Sequence, residues 1–86
     1  MGDETDAELL KRLRRAPGRQ VDLIVTVAGD PRGYESRVQA FDLEVKRAFS
    51  LTQKLALSGP ARAFIALSRE HWVLRMEEDR PVRTAD

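Results

Sequence analysis

From residue 20 the chain alternates with a period of two. Val21, Leu23, Val25 and Val27 interleave with Asp22, Ile24, Thr26 and Ala28, and five of these eight side chains are β-branched. That pattern predicts a strand, and Ile24 on the second face predicts a central one. Gly29-Asp30-Pro31 breaks it and Arg32-Gly33 completes a loop. Tyr34, Val38 and Phe41 then fall at i, i+4 and i+7, which predicts an amphipathic helix over 34–41. Leu43, Val45, Arg47, Phe49 and Leu51 alternate with Glu44, Lys46, Ala48 and Ser50 in a second strand. A turn at Thr52-Gln53 leads into a shorter third strand on Leu55 and Leu57, although neither turn residue strongly favours a hairpin. Ser58-Gly59-Pro60 is a helix start, with the serine oxygen available to free N–H groups and the proline suited to the first turn. Ala61, Phe64, Ile65 and Leu67 or Ser68 supply its apolar stripe. A fourth strand places Trp72, Leu74 and Met76 opposite Val73, Arg75, Glu77 and Asp79. Residues 80–86 show no periodicity and are expected to form an extended tail.

The order strand, helix, strand, strand, helix, strand joins two strand–helix–strand units by a hairpin. The expected fold class is α+β and ferredoxin-like (βαββαβ), with a four-stranded antiparallel sheet and two helices on one face. The other sheet face is then bare or covers something else. Residues 1–19 stand apart, with Asp3, Glu4, Asp6 and Glu8 followed by Lys11, Arg12, Arg14, Arg15 and Arg19. Acid first and base last is the order a helix macrodipole favours, Leu9, Leu10 and Leu13 make a narrow stripe, and Pro17-Gly18 ends the element. The expected division is a helical or disordered appendage over 1–19, a domain over 20–79 and a tail over 80–86.

Composition narrows the function. With 86 residues the chain holds one domain, which excludes a two-domain enzyme. It has no cysteine and one histidine, His71, which removes disulfides, thiolate metal sites and histidine pairs. No cofactor or metal is expected. Fifteen basic and 14 acidic groups sum to +1, so no global field recruits nucleic acid or an anionic membrane. The longest apolar run is residues 63–67, far below a membrane span, and no secretory signal opens the chain, so a cytoplasmic location is expected.

Candidate chemistry is sparse. Glu77-Glu78-Asp79 ends the last strand, and the pleat puts Glu77 and Asp79 on one face with Arg75 and Val73, and Glu78 on the other. The plain reading is a solvated strand end. The sharper one is a pair of carboxylates on a bare sheet face, able to dock the N-termini of partner helices, where free N–H groups attract anions. No nucleophile or metal partner accompanies them, so no catalytic residue is expected. Residues 11–15 (Lys-Arg-Leu-Arg-Arg) suit either phosphate contacts or the basic end of a helix, and the preceding acids favour the latter. Phe49 is the only aromatic strand candidate for the bare face, too few for RNA stacking. His71 fits a surface or helix-end position, and Tyr34, Phe41, Phe64 and Trp72 are assigned to the core.

The strand Val73-Leu74-Arg75-Met76-Glu77-Glu78-Asp79, the hairpin after Phe49, the helix ending at Leu67 and the seven-residue tail together carry a resemblance. Over residues 20–86 the chain resembles the propeptides of subtilisin-like serine proteases and the small free-standing proteinase inhibitors related to them. The resemblance implies that the bare face packs on two surface helices of the protease, with Glu77 and Asp79 capping them. It further implies that the tail enters the active-site cleft as a substrate-like strand. Val82, Arg83, Thr84 and Ala85 then occupy non-primed subsites, with Val82 in an apolar pocket and Ala85 beside the catalytic serine, or, in a register one residue on, with Asp86 terminal in the cleft. Strand addition of this kind works through main-chain hydrogen bonds, with alternate side chains selecting the partner. Pro81 must lie where no such bond is needed.

The expected function is therefore non-enzymatic: a monomeric inhibitor, folding chaperone or both, for a subtilisin-like serine protease, with no nucleic-acid or membrane partner. The alternative is a ferredoxin-like oligomerisation or regulatory module using the same face, and nucleic-acid binding through residues 11–15 ranks below both.

Overall fold

Strand β1 (Gln20–Val27) turns Leu23, Val25 and Val27 to one side, where none is more than 2% exposed. The computed structural model describes residues 4–78. Strands β2 (Glu44–Phe49), β3 (Lys54–Pro60) and β4 (Val73–Glu78) complete one sheet in the order β2-β3-β1-β4, with every pairing antiparallel. Ile24 sits on a central strand, as its apolar second face predicts. Helix α1 (Glu4–Arg15) precedes β1, a 3-10 turn (Pro31–Tyr34) leads into α2 (Glu35–Gln39), and α3 (Ala61–Leu67) joins β3 to β4. The fold is α+β, with a four-stranded antiparallel sheet open on one side and an element order compatible with the ferredoxin-like arrangement.

One apolar cluster joins Leu23, Val25, Leu55, Leu57 and Met76 of the sheet to Leu9, Leu13, Val38, Phe64 and Leu67 of the helices. All three helices therefore pack on the same sheet face. This corrects the reading of residues 1–19 as an appendage. Leu9 and Leu13 are each 4% exposed and belong to the core, while α1 packs on α3 and the edge strand β4. Fully burying a leucine side chain contributes about 1.5–3 kcal/mol, which a domain this small cannot spare.

The link from α1 to β1 also caps α3. Ala61 N–H donates to the Arg19 carbonyl and Arg62 N–H to the Pro17 carbonyl, each at 2.8 Å. Two of the N–H groups that a helix start leaves unpaired are thus satisfied by main chain. The expected serine cap does not form. Pro60 is the N-cap residue with no side-chain bond, and Ser58 Oγ accepts from Gln20 Nε2 at 3.4 Å.

The helix predicted over 34–41 is shorter and begins as the 3-10 turn, where Asp30 Oδ1 accepts from Arg32 N–H at 3.0 Å. Tyr34 and Trp72 stack with ring centroids 4.5 Å apart, and Tyr34 Oη donates to the Ala28 carbonyl at 2.6 Å. This aromatic pair ties the loop after β1 to the turn before β4. His71 lies exposed in that turn.

Gly59 passes close to the segment before β2. A Cβ there would lie 2.5 Å from Leu43 Cδ2 and 3.1 Å from the Asp42 carbonyl oxygen, and Leu43 is itself buried. Gly59→Ala is therefore expected to cost roughly 1–3 kcal/mol by overpacking, measured by urea denaturation. An unchanged midpoint would show that Leu43 can move aside freely.

Two register shifts decide which side chains reach the bare face. Pairing steps from Val45↔Leu57 to Arg47↔Ala56, which leaves Lys46 as an extra residue in β2. It also steps from Thr26↔Arg75 to Val27↔Val73, which leaves Leu74 extra in β4. Each bulge inverts the alternation beyond it. In β2, Val45 and Ala48 therefore pack against the core, whereas a strict period of two puts them on opposite faces. In β4, Val73 turns inward and Leu74 outward, so Val73 does not share a face with Glu77, and Leu74 does not share one with Trp72 and Met76. Leu51, expected in a strand, is fully exposed in the four-residue turn before β3. Gln53 closes that turn with φ 57, a left-handed conformation unusual for a residue other than glycine.

Candidate docking surface

Among the described residues nothing covers the second sheet face, and this bare face is built in cross-strand rows. At one end Glu44, Ser58 and Asp22 lie side by side on β2, β3 and β1. The middle row runs Arg47, Ala56, Ile24 and Glu77 across all four strands, and the next runs Phe49, Lys54, Thr26 and Arg75. The middle row is apolar at its centre, cationic at the β2 edge and anionic at the β4 edge. Ala56 is 4% exposed although it lies on the face away from the core, between its cross-strand partners Arg47 and Ile24. A hollow of about 260 Å³ opens there, lined by Ile24, Lys46, Arg47, Phe49 and Ala56.

Glu77 is half-buried on this face, as the pleat requires, and Lys54 Nζ lies 3.3 Å from its Oε2. Lys46 Nζ lies 3.6 Å from Asp22 Oδ1. These pairs are partly solvated and each contributes at most about 1 kcal/mol, so a partner can exchange them at small cost. Arg47 is exposed and takes part in no ion pair among the described residues.

Glu78 points to the helix side, where Arg12 Nη2 approaches its Oε1 at 3.0 Å. The basic stretch at residues 11–15 thus supplies an anchor between α1 and the end of β4. A groove of about 380 Å³ beside this contact, lined in part by Leu9, Leu13, Arg19 and Ala61, is the seam between α1, its link and the sheet.

Of the residues expected to bind a protease, Glu77 is on the bare face. Asp79, Val82, Arg83, Thr84, Ala85 and Asp86 lie outside the described residues. Sequence reasoning missed Lys54 as the partner of Glu77, and Ala56 and Arg47 as the floor and rim of the hollow. An alanine amid larger strand residues was the one available signal for the floor. Among the described residues no three His, Cys, Asp or Glu side chains group so as to hold a metal ion, and no helix is long and apolar enough to cross a membrane. Comparison with protein-family models finds no match for this chain, and neither does comparison with curated proteins.

Proposed function

We propose that this chain is a non-catalytic inhibitor, folding chaperone or both, for a subtilisin-like serine protease. The bare sheet face docks on the protease, and the C-terminal tail enters the cleft as a substrate-like strand. The observation that carries the reading is the placement of Glu77. It lies on the sheet face away from the helices, at the end of an apolar row and on an edge strand. A carboxylate so placed can accept from the free N–H groups of a helix N-terminus once Lys54 yields it. The resemblance of residues 73–79 to the end of subtilisin-type propeptides supports the same partner.

Titration of the chain into a panel of subtilisin-like proteases tests this directly, with residual activity and cleavage of the added chain as readouts. Stoichiometric loss of activity in at least one member is expected. No inhibition anywhere in the panel, and no improved recovery of an unfolded protease, would remove the proposal.

Glu77→Ala combined with Asp79→Ala is expected to weaken inhibition by roughly 1–3 kcal/mol while changing the stability of the free chain by less than about 1 kcal/mol. Inhibition constants and chemical denaturation separate the two effects. A double variant as potent as the parent would exclude the carboxylates from docking.

A further inference from the structure

We infer that the hollow bounded by Ile24, Lys46, Arg47, Phe49 and Ala56 receives an apolar side chain of the partner protein, and that a carboxylate next to that side chain engages Arg47. The inference rests on the proposed function only in taking a protein as the occupant of the bare face. Three observations carry it.

The first is Ala56. A position on the outer face in the middle of a sheet favours β-branched or aromatic residues, which cover the backbone and pack on their cross-strand neighbours. Alanine gives that up. Between Arg47 and Ile24 it leaves a depression of about 260 Å³ instead of a filled surface. That volume accommodates a branched aliphatic side chain.

The second is the wall. Phe49 remains 38% exposed on the bare face, in the row beside Arg47. The bulge at Lys46 is what turns both residues outward, and bulges of this kind re-aim side chains at the edges of sheets. An exposed aromatic beside an apolar floor is the composition of an interface anchor point.

The third is charge. Lys46 is held by Asp22 at 3.6 Å, and Glu77 at the far end of the row is held by Lys54 at 3.3 Å. Arg47 stands at the rim without an ion pair among the described residues. Its guanidinium matches a carboxylate in two-point geometry, and the apolar surroundings strengthen such a contact once a partner excludes water. The complementary partner surface is therefore an aliphatic side chain with an aspartate or glutamate beside it.

Short peptides serve as probes that need no protease. Acetyl-Leu-Glu-amide, acetyl-Leu-Gln-amide and acetyl-Ala-Glu-amide are titrated into isotopically labelled chain at millimolar concentration and followed by amide chemical shifts. Saturable shifts centred on Ile24, Arg47, Phe49 and Ala56 are expected for Leu-Glu, with binding weakened about threefold or more when either element of the pair is removed. Arg47→Glu and Ala56→Leu, both on the bare face and away from the core, are expected to abolish the response. Equal shifts with all three peptides, shifts located elsewhere, or no binding overturn the inference. So does a concentration-dependent dimer in sedimentation that either variant disrupts, because a second copy is then the occupant. Against a protease inhibited by the parent chain, Arg47→Glu is expected to raise the inhibition constant about tenfold or more. An unchanged constant in both variants overturns the hollow while leaving protease inhibition intact. Peptide binding with neither inhibition of any protease nor improved recovery of an unfolded one supports the hollow and removes the protease.

Discussion

Leu13→Ala is expected to lower the stability of the free chain by about 2–5 kcal/mol, the cost of removing a buried leucine and leaving a cavity. Leu13 is 4% exposed and lies in the same cluster as Leu23, Phe64 and Leu67. A domain of this size has a total stability of roughly 3–5 kcal/mol, so the variant is expected to be largely unfolded at physiological temperature. Urea denaturation of Leu13→Ala beside Arg14→Ala provides the measurement. Arg14 is exposed on the same helix, and its replacement is expected to shift stability by less than about 0.5 kcal/mol. A comparably small effect at Leu13 would return α1 to the status of an appendage. A large one has a mechanical corollary, because α1 also holds Glu78 through Arg12. Loosening the helix then loosens the end of β4, and with it the position of Glu77.

Deletion of residues 82–86 is expected to abolish protease inhibition, by roughly two orders of magnitude or more, while the fold persists. Among the described residues the core cluster lies within residues 9–76, and the fold is expected not to depend on residues 82–86. What it deletes in the proposed complex is an added strand, whose main-chain hydrogen bonds supply affinity and whose alternate side chains supply selectivity. In the proposed complex the sheet face alone would bind away from the cleft and leave the catalytic serine free. The truncated chain should therefore keep its unfolding midpoint and lose its inhibition, and it should still compete with the intact chain for the protease. Equal inhibition by both forms would exclude the tail mechanism. Loss of the fold on truncation would instead assign residues 82–86 a structural role.

Periodicity made the four strands legible because each is half-covered. Val21 to Val27, Leu55 with Leu57 and the Met76–Glu77–Glu78 alternation report a sheet with one buried face, and a period of two records that directly. The opposite directions of Glu77 and Glu78 follow from the same pleat. The hidden part of the candidate site has a different origin. Arg47 and Phe49 face outward together with Lys46 because a residue is added at Lys46, and nothing in the local sequence distinguishes that insertion from unbroken alternation. Leu74 and Val73 exchange faces for the same reason in β4.

What the sequence by itself determined is the element order, most of the core and the opposite directions of Glu77 and Glu78. These depend on the local alternation of apolar and polar side chains. The tertiary structure alone decided that α1 joins the core through Leu9 and Leu13, that Pro17 and Arg19 carbonyls cap α3, and that Lys54 holds Glu77. It also decided where the two bulges fall. Each of these requires partners far apart in the chain to meet, and such meetings are selected by packing the whole core at once rather than by the preference of any one segment.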